Sequence, residues 1–146
     1  MKASDFLLLV INAAKQDGLS PVQLQKSLFL IRHKLSKSNR LDFYNFIPQY
    51  FGPFNSQIYI DAEKLKENGL IDIHNSPLQN YKMFNITSEG SKQAKIIKKS
   101  ISSIYLDEIN KTVERVKSKS FNDLLKYIYT KYPEYKKNSI FSDFTQ

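Results

Sequence analysis

The chain has 146 residues, a length that one domain fills and that can bury an apolar core without covalent staples. Its apolar share of 41% and charged share of 25% are those of an ordinary folded domain and exclude a disordered chain. It has no cysteine, which excludes disulfides and thiolate metal sites, and its net charge of +8 suits nucleic acid, an acidic membrane surface or an acidic protein.

The charge is uneven. Residues 1–73 carry nine Lys and Arg against seven Asp and Glu, whereas residues 74–146 carry thirteen against seven. A Lys-, Asn- and Ile-rich composition also arises in AT-rich genomes without selection for binding. The apolar run Phe6 to Ile11 is short and leads into Asn12, Lys15 and Gln16, so it reads neither as a secretory leader nor as a membrane span. The expected location is the cytoplasm, with no membrane partner.

In chain order, Asp5 to Gln16 reads as a first helix, with Phe6, Leu9, Val10 and Ala13 at helical spacing. Ser4 or Asp5 is placed to cap it, and Asp17-Gly18 to stop it. Ser20-Pro21, with Gln23 three residues after the serine, carries the signature of a capping box at the start of a second helix. Leu24, Leu28, Ile31 and Leu35 form its apolar stripe, and Lys26, Arg32, Lys34 and Lys37 are expected to form an exposed positive face.

The segment from Phe43 to Phe54 holds six aromatics and two prolines, which oppose a regular helix. It reads as an extended strand with a tight turn at Gly52-Pro53. A third helix, capped by Asn55 or Ser56 and running to about Asn68, buries Ile58, Ala62 and Leu65. Leu70 to Ile73 and Tyr81 to Ile86 then read as a two-stranded hairpin around a polar turn. Thr87 to Gly90 leads into further helix, and from Ser91 onward the chain is helical with interruptions. Ser118 and Ser120 break and recap it before a last amphipathic helix that ends at Pro133.

The expected fold is therefore α+β and mostly helical: a winged-helix-like core over residues 1–90 with a two-stranded wing, and a helical extension over 91–146 packed on the same domain. LQKSLFLI (Leu24 to Ile31), QYFGPF (Gln49 to Phe54), ENGLID (Glu67 to Asp72) and ITSEG (Ile86 to Gly90) together resemble two groups of small prokaryotic winged-helix proteins. These are the YwgA-like proteins and the SocA-like, or Panacea, antitoxin domain. The late YTKYPEYKKNSI (Tyr129 to Ile140) resembles their tails. Ser27 and Phe51 depart from the residues frequent at those positions. The resemblance implies regulation or partner binding, and no catalytic residue.

Chemistry is sparse. His33 and His74 fall on different elements, with no carboxylate at ligand spacing; no glycine loop could cradle a phosphate, and no metal or cofactor is expected. The first expectation is a transcription regulator that binds DNA. Its third helix would enter the major groove and turn Asn55, Ser56, Gln57, Asp61 and Lys64 to base edges, while Lys26, Arg32, Lys34, Lys37 and the wing's Lys82 hold phosphates. Against this, residues 55–68 carry two lysines and three acids, a net charge that a phosphate backbone repels. The alternative is an antitoxin-like adaptor that binds a protein, such as a toxin, through Tyr44, Tyr50, Tyr127, Lys131 and Tyr135. In that reading the two early tyrosines are exposed and the Phe residues beside them form core.

Overall fold

A computed structural model describes residues 1–39, 43–78 and 80–140, with residues 36–39 described for their backbone alone. The chain is an α+β domain, mostly helical. Helix α1 (Ala3–Ala13) starts where the Asp5 carboxylate accepts the Lys2 amide at 2.9 Å. Its residues Phe6 to Ile11 are buried without interruption, so α1 is covered all round instead of along one stripe. Helix α2 (Pro21–Asn39) opens with the expected capping box: Ser20 N donates to the Gln23 side chain at 3.0 Å, and Gln23 N to Ser20 Oγ at 3.2 Å.

The aromatic segment forms a short antiparallel hairpin, β1 (Ile47–Gln49) with β2 (Gly52–Phe54), pairing Ile47 with Phe54 and Pro48 with Pro53. Its turn is Tyr50-Phe51. The expectation of a Gly52-Pro53 turn is corrected: those residues lie in β2, and a two-stranded hairpin accommodates proline because both of its strands are edges. Helix α3 (Gln57–Glu67) follows and buries Ile58, Ala62 and Leu65 as expected.

A second antiparallel hairpin, β3 (Ile71–Asn75) with β4 (Lys82–Ile86), pairs Ile71 with Ile86 and Ile73 with Phe84. Phe84 also exchanges both backbone hydrogen bonds with Leu19, the residue between Gly18 and the cap of α2, at 3.0 and 2.9 Å. Gly90 seals the base of this hairpin, since a Cβ there would lie 1.8 Å from the Leu70 carbonyl oxygen.

Helices α4 (Ser88–Lys98), α5 (Ser103–Lys117) and α6 (Phe121–Lys131) complete the domain. Thr87 caps α4 and Ser120 caps α6, each side chain accepting a backbone amide of the first turn. Ile109, Val113 and Val116 of α5 and Leu124, Leu125 and Ile128 of α6 belong to the same buried cluster as α1 and α2. Lys117 reaches back from α5 to the Ala14 carbonyl at 3.1 Å and the Asp17 carboxylate at 2.8 Å. Beyond a 3-10 turn at Pro133–Lys136 the chain returns to the first hairpin, where Ile140 N donates to the Tyr50 carbonyl at 3.0 Å. No helix of the described residues is long and apolar enough to cross a membrane.

Candidate partner-binding groove

The LQK and FGP motifs, more than twenty residues apart in the sequence, meet in space. Gln25 on α2 is buried, and its side-chain amide brackets the backbone of Asn55: Nε2 donates to the Asn55 carbonyl at 2.8 Å, and Asn55 N donates to Oε1 at 2.9 Å. One residue on, Lys26 Nζ donates to the Pro53 carbonyl at 3.0 Å. Gly52 suits this turn of the backbone. Its φ of +92° disfavours any side chain, and Lys26, Leu125 and Tyr129 lie about its Cα face at 3.5 to 3.6 Å from where a Cβ would stand.

This fastening overturns one expectation. Lys26 is only 3% exposed, out of reach of a phosphate backbone lying on the surface, because the hairpin and α6 cover helix α2 there. Burial pushes its amine down from the ordinary lysine range to about 7. Tyr44 is corrected likewise. Expected at the surface, it is 2% exposed and donates its hydroxyl to Asp61 at 2.7 Å, with burial first and the carboxylate second driving its acidity down and its pKa up.

Of the residues proposed for base reading, Asn55, Gln57 and Asp61 are turned to structural use. Asn55 Oδ1 accepts the Gln57 amide at 2.8 Å and its Nδ2 donates to the Asn45 carbonyl at 2.7 Å, so Asn55, rather than Ser56, caps α3 with its side chain. Gln57 donates to Asp61 at 2.9 Å. Ser56 just before α3, Lys64 on α3 and Lys82 on β4 are exposed, and Lys82 lines a hollow with Glu63 of α3. Arg32 donates to Asn45 at 3.3 Å, and Lys34 pairs with Glu108 of α5 at 3.4 Å. The side chain of Lys37 lies outside the described residues.

Lys34 lies within electrostatic reach of one proposed partner contact, Tyr127. Lys131 donates to the Tyr127 hydroxyl at 3.1 Å, and Lys119 and Lys131 lie 5.0 and 5.3 Å from the centre of that ring. Burial opposes ionisation of Tyr127, but the Lys131 hydrogen bond and the charges of Lys131, Arg115 and Lys34 outweigh it and lower the hydroxyl's pKa. Tyr135 belongs elsewhere: its ring packs edge-on against Phe29 at 4.7 Å beside His33. His33 is enclosed in that aromatic cluster with its Nδ1 on the Phe29 carbonyl at 3.1 Å, and burial lowers its pKa. His74 has a carboxylate neighbour after all, because Asp72 shares its face of β3 at 3.4 Å; both are exposed. Among the described residues, no group of three or more His, Asp or Glu could hold a metal ion.

The start of α2 is the centre of a different surface. Pro21 lines three adjoining hollows. The first, about 350 Å³, lies between α2 and the aromatic hairpin, with Lys26 and Gln25 at its inner wall and Tyr50, Phe51, Phe54 and Tyr59 around it. The second runs from Val22 to Tyr81, Phe121 and Leu124, and the third from Tyr59 to Ile73 and Lys82. Tyr50 is 61% exposed, and Phe51 meets Phe121 edge-on at 5.5 Å with both rings partly in solvent. Of the residues expected from sequence, only Tyr50 belongs to this aromatic rim. Val22, Phe51, Tyr59 and Phe121 carried no separate signal, since their convergence depends on long-range packing. No protein-family model matches the chain, and no curated protein matches it.

Proposed function

We propose that this chain is a non-catalytic winged-helix adaptor that binds an apolar, acidic segment of a protein partner in the groove centred on Pro21 and Val22. The observation that carries this reading is the run of three adjoining hollows rimmed by half-exposed Tyr50, Phe51, Phe121 and Tyr81. Contiguous apolar surface of this kind is uncommon on a protein that works alone, and aromatic side chains dominate interface energetics. The net charge of +8, with Lys82 and Lys119 at the groove margins, favours an acidic partner.

The winged-helix assignment is supported by the succession α1, Leu19, α2, α3, β3, β4 and by the two hydrogen bonds between Leu19 and Phe84. In this reading Leu19 is the stub of a first strand beside the wing, and the aromatic hairpin is an insertion between the second and third helices. The resemblance to SocA-like antitoxin domains makes a toxin a natural partner for such a groove, in a prokaryotic cytoplasm.

DNA binding is the second reading, favoured by exposed Lys64 and Lys82 and by the basic cluster around Tyr127. It is weakened by the engagement of Asn55, Gln57 and Asp61 inside the fold. Titration onto mixed-sequence duplex DNA separates the two. An adaptor binds negligibly at low salt, and its partner affinity falls with Tyr50→Ser and Phe121→Ser. Tight DNA binding that weakens steeply with salt and with Lys64→Ala and Lys82→Ala would overturn the adaptor reading.

A further inference from the structure

Lys26 is a buried amine with no counter-ion among the described residues. Its ammonium has three N–H groups to satisfy, and the Pro53 carbonyl takes one. Among the described residues no carboxylate lines the hollow beside it: the titratable neighbours there are Tyr50 and Tyr59, with Tyr129 behind Gly52. Structural lysines of this depth are ordinarily paired, because an unpaired buried charge is among the most costly groups a fold can hold. The fold does not need the charge here. A single hydrogen bond to a carbonyl could be supplied by a neutral side chain, as Gln25 does one residue earlier.

The surroundings are equally directed. The amine stands at the inner wall of an open hollow whose remaining lining is mostly apolar and aromatic, with Val22, Phe51, Phe54 and Tyr59 on its sides and Tyr50 at its mouth. An apolar enclosure with one convergent cationic donor is the chemistry of a carboxylate carried on an apolar body. The distance from the exposed rim to a residue only 3% exposed demands a side chain of some length.

We propose that the hollow between α2 and the aromatic hairpin is an anchor pocket for a glutamate side chain of the docked partner, with Lys26 as the residue that recognises its carboxylate. This rests on the adaptor reading of the same groove and adds to it the identity of the anchor. The ion pair would form away from bulk water, where charge-assisted hydrogen bonds are strongest. Binding also places the proton. The free amine loses it at about pH 7, so binding above that pH must return a proton to Nζ, and affinity falls as pH is raised.

The test uses two capped peptides, acetyl-Phe-Glu-Leu-amide and its Gln counterpart, titrated into the full chain and followed by backbone and lysine side-chain NMR. The expected result is that the Glu peptide binds roughly ten-fold tighter than the Gln peptide at pH 7. Shifts should centre on Lys26, Gly52 and Tyr50, and the preference should shrink toward pH 9. Lys26→Met, which fills the same space without charge, should bind both peptides alike. A third peptide with Gln and a free C-terminal carboxylate should behave as the Gln form; if it binds like the Glu form, the pocket reads chain ends and the glutamate assignment is wrong. Equal binding of the Glu and capped Gln peptides would overturn the carboxylate pocket and leave the adaptor reading standing. Binding of neither would overturn the pocket, and would count against the adaptor reading only if Tyr50→Ser also left partner affinity unchanged.

Discussion

The two hairpins of this domain have strands of three and five residues and are fastened by different means. The second, β3 with β4, is held largely by backbone: Phe84 pairs with Leu19, the Leu70 carbonyl crowds against Gly90, and one side chain, Asn85, donates to the Gln16 carbonyl at 2.9 Å. Its tip stands in solvent, where Leu78 is 92% exposed. The first, β1 with β2, has three residues a side and is held by buried side chains from α2, Gln25 and Lys26, and from behind by Asn138 and Ile140 on the Pro48 and Tyr50 carbonyls. A backbone-paired hairpin needs only its register. A hairpin pinned by buried polar groups holds a fixed position, so the aromatics at its turn are presented rigidly, which would limit the entropy lost in the proposed docking.

That contrast can be broken at its shared support. Both hairpins lean on α2, and Leu28 near its centre is fully buried. Leu28→Ala should cost roughly 2–5 kcal/mol in denaturant unfolding and loosen both hairpins together. A smaller and selective effect follows from Gln25→Ala, which strands the Asn55 amide and carbonyl. It should cost about 1–3 kcal/mol and speed amide exchange at Asn55 while leaving Phe84 protected. Equal deprotection of both hairpins would show that they are not separately fastened.

Lys26→Met should sharpen the comparison through pH. The folded chain holds this amine's pKa at about 7, below the ordinary 10.5, so between those values the unfolded chain binds the proton more readily. Wild-type stability therefore rises with pH through that window, by roughly 2 kcal/mol from about pH 7 to 9, and the Met variant should lack the rise. A variant with the same pH slope as wild type would mean that Lys26 titrates normally.

Much of the fold was legible from local signals. Ser20-Pro21-Val22-Gln23 is a self-contained cap, and Asn68-Gly69 ahead of Leu70 to Ile73 marks helix end and strand start within one or two residues of where they lie. The first hairpin was not, because Gly-Pro is ordinarily a turn pair and nothing local says that Pro48 and Pro53 face each other across two edge strands. Lys26 misled for a related reason. Charge predicts exposure only when nothing distant covers the helix, and its cover comes from Gly52 and from Leu125 and Tyr129, far along the chain. Tyr44 is buried because Asp61 offers its hydroxyl a partner, a pairing that no spacing rule reveals.

The central claim, that the aromatic groove receives a protein, is tested most directly by photo-crosslinking in living cells from benzoylphenylalanine placed at position 50 or, for comparison, at position 64 on α3. Both side chains are exposed, so each reports what its own surface meets. The groove account predicts one discrete protein adduct from position 50, lost on adding Phe121→Ser, and none from position 64. Nucleic-acid adducts from position 64, with position 50 silent, would contradict it.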